Sequence, residues 1–173
     1  MFFCYTVLKF FPMKKIFLSL AVIGSVLVWG QDVKTITQAV TAINQTVNYK
    51  MKIVPNSYFV SQNKVTDNGI ELKGYYKNKK IRKIEEFAGL SGWNIITQYF
   101  FSEEGDLIFV YVKKFQTLEG STSLKNPKLI AERRNYYEKG KLVKKLEKGQ
   151  SRIENIDYVK EAEHLKKDLQ NYK

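Results

Sequence analysis

Few residues of this chain are of the types that do chemistry, and they lie far apart in the sequence. His164 is the single histidine of the 173 residues, and Cys4 is the single cysteine. His164 lies on a predicted helix, with Glu161 and Asp168 at helical spacing. A zinc site needs more nitrogen or sulfur ligands than these, and no G-x-S-x-G motif accompanies the histidine. The sequence therefore predicts no metal site, no cofactor and no nucleophilic triad.

Carboxylates are the other candidates for catalysis. Glu85 and Glu86 are adjacent on a predicted strand, so their side chains point to opposite faces and cannot act on one bond. Glu71 and Glu132 lie on different predicted strands and could face one cleft. A small extracytoplasmic hydrolase that uses Glu71, Glu132 or His164 stays open as an alternative, although the sequence favours a protein that is not an enzyme.

The basic composition points to one class of partner. The chain has 29 Lys and Arg against 17 Asp and Glu, a formal net charge of +12. Such a surface attracts anionic polymers or membrane surfaces, which keeps a binder of anionic surfaces as a second alternative. A nucleic-acid partner is not favoured, because the acidic turn at 102–106 is expected to lie between two basic turns at one end of the sheet.

The first thirty residues carry a targeting pattern. From Met13, Lys14 and Lys15 precede an apolar stretch over residues 16–28, and polar sequence follows it. This arrangement is typical of a secretory signal peptide, and the stretch is shorter than the roughly 20 residues that a membrane-spanning helix needs.

The targeting pattern divides the chain into three parts. We expect residues 1–12 to be an over-extended start, residues 13–30 to be a cleaved signal peptide, and residues 31–173 to form a single domain. The mature part would carry a net charge of +9, because the removed segment contains three lysines and no acid. The mature protein is then expected to be periplasmic or secreted, and not an integral membrane protein.

Two amphipathic helices are predicted at the ends of the mature chain. One begins at Asp32 as its N-cap and extends to about Lys52, and the other lies between Ile153 and Lys173. Between the first helix and the sheet, a short strand is predicted at residues 56–60, after Pro55. The apolar positions are Val33, Ile36, Val40, Ile43 and Val47 in the first helix and Tyr158, Ala162, Leu165, Leu169 and Tyr172 in the second.

Between the helices the sequence predicts a β-meander. Four runs rich in β-branched and aromatic residues lie between Ile70 and Phe115, and a further hairpin spans residues 128–148. The run from Leu107 to Val112 is apolar at every position, so a central strand covered on both faces is expected, with Leu107 and Phe109 on one face. The expected fold is α+β: an N-terminal helix, a curved antiparallel meander of about six strands, and a C-terminal helix.

One phrase occurs three times in this meander: two or three aromatic residues, a charged turn, and a strand that begins with an aliphatic residue. The copies begin at Tyr75, Tyr99 and Tyr136. The phrase resembles the Y-Y-x-x-G-K-L hairpin phrase of MORN-like repeat variants and of exported proteins of Gram-negative bacteria, over roughly residues 70–146. The resemblance implies an antiparallel sheet built of hairpins, and it brings no catalytic residues. The first copy has Lys79 where the family phrase has glycine.

Loops that contain glycine and serine, at the end opposite the charged turns, are candidates for binding. They are the segment after the second strand and the long connection after Phe115. The candidate rim residues are Leu90, Trp93, Leu118 and Ser121. These features predict a non-catalytic, exported binding or envelope-associated protein, whose ligand or protein partner the sequence does not identify.

Overall fold

A computed structural model describes residues 33–117 and 127–173. The seven strands form one antiparallel sheet in the order β1 to β7, which confirms the predicted α+β fold and its meander and adds one strand. The elements in chain order are α1 (33–45), β1 (Lys50–Val54), α2 (Asn56–Ser61), β2 (Ile70–Lys77), β3 (Lys80–Gly89), β4 (Trp93–Phe101), β5 (Leu107–Gln116), β6 (Lys128–Glu138), β7 (Lys141–Gly149) and α3 (Tyr158–Asn171).

The segment between α1 and β2 differs from the sequence-based prediction in two places. Helix α1 ends at residue 45, because Asn48 adopts φ +62° and Lys50–Val54 then pairs with β2 as an edge strand. Residues 56–60 were expected to form a strand but belong to α2, which begins directly after Pro55. The helix buries Phe59 in the core that α3 covers and packs the half-buried Tyr58 against the same core, while Ser57 and Val60 stay exposed. The predicted N-cap, Asp32, lies outside the described residues.

Each of the three tandem hairpins contains the repeated phrase and has the same irregularity. In β2–β3, β4–β5 and β6–β7 the register shifts beside the aromatic residues, so one residue of the second strand has no partner. These extra residues are Arg82, Ile108 and Val143. The shift corrects one expectation: Leu107 and Phe109 lie on opposite faces, because Ile108 is inserted between them in the ladder.

Helices cover both faces of the sheet. On the face that we call the α1 face, Ile36 and Ile43 of α1 pack with Phe100, Phe109 and Tyr136. On the opposite face, the α3 face, Tyr158, Ala162, Leu165 and Leu169 of α3 join the larger core. The predicted helical stripes and the predicted double coverage of β5 are therefore confirmed, except that Val47 is 70% exposed.

Arg133 fixes the segment that leads into α3. This residue is 2% exposed, and its guanidinium donates to the carbonyls of Ile153 and Glu154, both at 2.8 Å. It also forms an ion pair with Glu147 at 2.7 Å, while Asp157 caps α3 by accepting from two backbone N–H groups. The buried charge is tolerated here because each of the three guanidinium nitrogens has a hydrogen-bond partner. Within residues 33–117 and 127–173, no helix is long and apolar enough to span a membrane.

The two-residue turns of β2–β3 and β6–β7 differ in one position that matters for stability. Both turns have positive φ at their two central residues, Asn78 and Lys79 (51° and 64°) and Lys139 and Gly140 (48° and 75°). This is the type I′ geometry that matches the twist of a hairpin, and it favours glycine at the second position. Lys79 therefore adopts a backbone conformation that is unfavourable for any residue with a side chain.

Replacing Lys79 with glycine should stabilise the protein by roughly 0.5–1 kcal/mol, because the strain is relieved at a smaller cost in unfolded-chain entropy. The reciprocal change, Gly140→Ala, should destabilise it by a similar amount. No atom lies within 4 Å of a Cβ at position 140, so the second effect reports backbone conformation alone. Urea denaturation measures both, and a Lys79→Gly variant less stable than wild type would contradict this account.

Candidate functional site

The structure brings together two of the four residues predicted for a binding rim. Leu90 and Trp93 flank the β3–β4 turn, where the Leu90 N–H donates to the Trp93 carbonyl at 2.9 Å. Trp93 is 41% exposed, and Lys114 Nζ lies 4.2 Å from the centre of its ring. Leu118 and Ser121 lie outside the described residues. The described part of the rim is one aliphatic and one aromatic residue beside a tight turn.

Polar side chains of the α2–β2 connection tie this end of the sheet together. Asp67 accepts hydrogen bonds from the Ser91 N–H, at 2.9 Å, and from the Ser91 hydroxyl. Asn68 Nδ2 donates to the Leu90 carbonyl at 3.0 Å. A Cβ at Gly89 would approach the Asn68 side chain to 2.5 Å, so only glycine allows the two segments to come this close. The connection thereby becomes a fixed wall next to the rim.

A cavity of about 620 Å³, which we call the sheet cavity, opens between this wall and the α1 face. Its floor includes Phe87 of β3 and Ile96 of β4, which are directly paired across the two strands and half-buried. Its polar lining comes from three sources, namely Asn56 after Pro55, the connection at 66–69, and the β2–β3 residues Glu71, Lys73 and Glu85.

The charged groups of the sheet cavity are held in place by near neighbours. Lys73 Nζ lies 2.6 Å from Glu71, and the hydrogen bond to that carboxylate raises the pKa of Lys73. Glu85 accepts from Gln98 Nε2 at 2.7 Å and pairs with Lys83 at 3.6 Å. The Thr66 hydroxyl oxygen is buried and has no hydrogen-bond partner in the described part of the chain. It is therefore a buried polar group next to the cavity whose hydrogen-bonding capacity is not used by the described residues.

The residues considered for hydrolysis do not converge. Glu71 and Glu132 share the α1 face and one cross-strand row, but β3, β4 and β5 lie between them. Four strand spacings amount to about 19 Å, too far for both to act on one bond. Glu132 accepts from the Tyr111 hydroxyl at 2.6 Å, and the exposed His164 lies on α3, on the other side of the sheet. Each of the three has its own local partner.

Sequence reasoning missed the sheet cavity for a physical reason. The cavity depends on the α2–β2 connection, which is polar and without periodicity, folding back on the β3–β4 turn. The only local signal was the pair of apolar residues, Phe87 and Ile96, that the alternation left on the more polar side of their strands. The predicted rim and the sheet cavity lie at the same end of the sheet, and the hydrogen bond from Asn68 to the Leu90 carbonyl connects them.

An unusual group of ionisable residues lies on the α3 face. Burial, and to a lesser extent the nearby Glu161, raises the pKa of Glu86 to about 7. Beside it, the Tyr99 hydroxyl is buried without a hydrogen bond of ordinary geometry among the described residues, and burial raises its pKa as well. Asp168 completes the group, and it accepts from the Tyr58 hydroxyl at 3.2 Å and pairs with Lys64 at 3.3 Å.

The protonation of Glu86 should make stability depend on pH. Because its folded-state pKa, about 7, lies above its ordinary value of 4.5, the folded protein binds more protons than the unfolded chain between these values. The free energy of unfolding should therefore fall as the pH rises through this window, by up to about 3 kcal/mol from this group.

Urea denaturation of wild type and Glu86→Gln across this pH window measures the effect. The variant should lose this part of the pH dependence and be the more stable protein under mildly alkaline conditions. Glu85→Gln, on the opposite face of the same strand, is the matched control for removal of a strand carboxylate. The same pH dependence in Glu86→Gln as in wild type would contradict the assignment.

Comparisons with family models, with curated proteins and with solved structures gave no match to this chain. The geometry described above is therefore the basis of the functional proposal.

Proposed function

We propose that the chain is an exported, non-catalytic binding protein that takes a small ligand into the sheet cavity. The cavity itself carries the proposal. A volume of about 620 Å³ lies within the range of small-molecule sites, which combine an apolar floor with a few convergent polar groups. Phe87 and Ile96 provide such a floor, and the carboxylates and the Asn56 amide that line the cavity provide the polar groups.

The lining favours ligands that donate hydrogen bonds. Asp67, Glu71 and Glu85 bring three carboxylates to the cavity, against one cation, Lys73. Asn56 Oδ1 already accepts from the Ile70 N–H at 2.9 Å, which fixes the amide at the cavity wall. A ligand with an aromatic or aliphatic body and an amine would place its apolar part on the floor and its cation near these carboxylates.

The proposal that the protein is exported rests on residues 13–30, with their two lysines, apolar stretch and polar exit. Because the hairpin phrase also resembles that of exported proteins of Gram-negative bacteria, the periplasm or the outside of the cell is the compartment that we propose. An envelope-associated role is consistent with the basic composition.

Expression of the full chain in a Gram-negative bacterium tests export. The protein recovered from the periplasm or medium should have an intact mass that lacks all residues up to about position 30, because a signal peptidase removes the targeting segment. Val22→Asp, which places a charge within the apolar stretch, should leave the protein unprocessed in the cell. A wild-type chain of full mass in the cytoplasm would contradict the proposal.

Binding to the sheet cavity is tested by NMR titration of the purified ¹⁵N-labelled protein. We expect 2-phenylethylamine and tryptamine, but not phenylacetate, to shift the amide signals of Gly69, Phe87 and Ile96. Glu71→Gln should weaken binding several-fold, whereas Glu132→Gln, the same change four strands away on the same face, should not. Equal binding of amines and carboxylate, or equal loss in both variants, would argue against the cavity as the site.

A further inference from the structure

We infer that a second cavity, at the edge of the sheet formed by β1, binds a ligand that carries two or more phosphate groups. This lysine cavity has a volume of about 710 Å³ and lies between β1, the β2–β3 turn and the C-terminal end of α3. Its lining includes four lysines, Lys50, Lys52, Lys77 and Lys79, and no carboxylate. The inference is independent of the sheet cavity, which lies beside the opposite end of β2.

The strand pairing brings these lysines together. Lys50 and Lys52 alternate with Met51 along β1, so they point to the same face as Val54, which is buried on the α3 side. Lys50 is opposite Tyr76, Lys77 follows as the last residue of β2, and Lys79 lies in the turn that comes next. Two lysine pairs, more than twenty residues apart in the sequence, thus meet at one corner of the sheet.

Gly74 allows the end of α3 to form the wall of the lysine cavity. Gly74 is opposite Lys52 in the ladder, and a Cβ at this position would come within 2.9 Å of the Leu169 side chain. Leu169 is buried at 1% exposure, so it could not move aside without opening the core. The absence of a side chain at position 74 therefore lets the helix approach the sheet, and Leu169 and Gln170 close one side of the cavity.

The charge of the lysine cavity is not neutralised by the described residues. In residues 33–117 and 127–173, the side chains of Lys50, Lys52 and Lys79 have no ion pair or hydrogen bond, and the Lys77 side chain donates only to the Val47 carbonyl, at 3.2 Å. Elsewhere, Lys64, Lys73 and Lys83 each pair with a carboxylate. The end of α3 contributes about half a negative charge, which four lysines exceed several-fold.

The strained turn is a second and independent observation. Lys79 holds φ +64° at the position where the equivalent turn of β6–β7 has Gly140. A side chain is thus kept at the mouth of the lysine cavity in a conformation that favours glycine. Backbone strain of this kind is typical of positions where the side chain has a function.

The geometry favours phosphate over other anions. Ammonium groups bind phosphate as point charges, and several of them around one space suit a ligand with more than one phosphate. The cavity also has apolar groups in its lining, Tyr76 and Leu169, and its volume exceeds that of a single phosphate several-fold. A diphosphate joined to a ring or chain, either free in solution or as the headgroup of a lipid, fits both features.

The experiment uses the purified protein with two probes. One is sodium pyrophosphate, followed by calorimetry, and the other is phosphatidylcholine vesicles with and without cardiolipin, a lipid whose headgroup has two phosphates, followed by flotation. The variant Lys50→Gln/Lys52→Gln removes two charges from the cavity. Lys141→Gln/Lys144→Gln removes two exposed charges from β7, the opposite edge, and is the matched control.

We expect the cavity variant to weaken binding about tenfold or more and the control to change it less than about twofold. Weaker binding of pyrophosphate by the cavity variant identifies a soluble ligand, and weaker binding of cardiolipin vesicles alone identifies a lipid headgroup; either result supports the site. Equal loss in both variants would show attraction by net charge only, and no binding of either probe would likewise overturn the inference.

Lys79→Gly separates binding from folding. This variant is expected to be more stable than wild type, so a misfolded protein cannot explain a loss of binding. We expect it to bind the effective probe several-fold more weakly. Wild-type affinity in a stabilised Lys79→Gly protein would contradict the part that we assign to this lysine.

Discussion

The structure depends on one row of side chains that crosses the α1 face of the sheet. In the ladder, Tyr75, Lys83, Phe100, Phe109 and Tyr136 are successive partners from β2 to β6. Neighbouring side chains of the row are in contact throughout. The ring centre of Phe109 lies 5.6 Å from that of Phe100 and 4.9 Å from that of Tyr136, and Lys83 Nζ lies over the rings of both Tyr75 and Phe100. Helix α1 packs on this row, so the row fixes both the sheet and its cover.

The repeated phrase explains why the row exists. Each hairpin places one aromatic residue of the phrase on the α1 face, and the residue that follows it points to the α3 face, where Phe101 and Tyr137 join the larger core. The bulge in each hairpin then sets which side chains of the second strand face the same way. If Arg82 were paired with Tyr75 in a regular ladder, Lys83 would face α3 and Ile84 would face the α1 side, because a shift of one residue exchanges the two faces of a strand.

This explains what the sequence could and could not predict. The strands from Ile70 to Phe115 were recognisable because runs of β-branched and aromatic residues are separated by turn residues. The opposite orientation of Leu107 and Phe109 could not be recognised. Every residue from Leu107 to Val112 is apolar, so the bulge does not change the pattern of polar and apolar positions. Strand β1 was hidden for a similar reason: its five residues continue the apolar spacing of α1, and only the left-handed Asn48 separates them. Both cavities arise from pairings between distant segments, which local patterns do not contain.

Two charged groups are buried on the α3 face, and burial destabilises the charged form of one of them much more than that of the other. Arg133 is buried, but Glu147, two carbonyls and the Tyr158 hydroxyl pair with it, so it holds the N-terminal end of α3. At the other end, Leu169 lies against Gly74, where no side chain fits. Glu86 lies between these two anchors, and for it burial outweighs the attraction of Lys64. Because α3 is held at both ends, ionisation of Glu86 cannot be relieved by detaching one end of the helix. Its cost should therefore appear in the stability of the whole sheet and helix rather than in local fraying of α3.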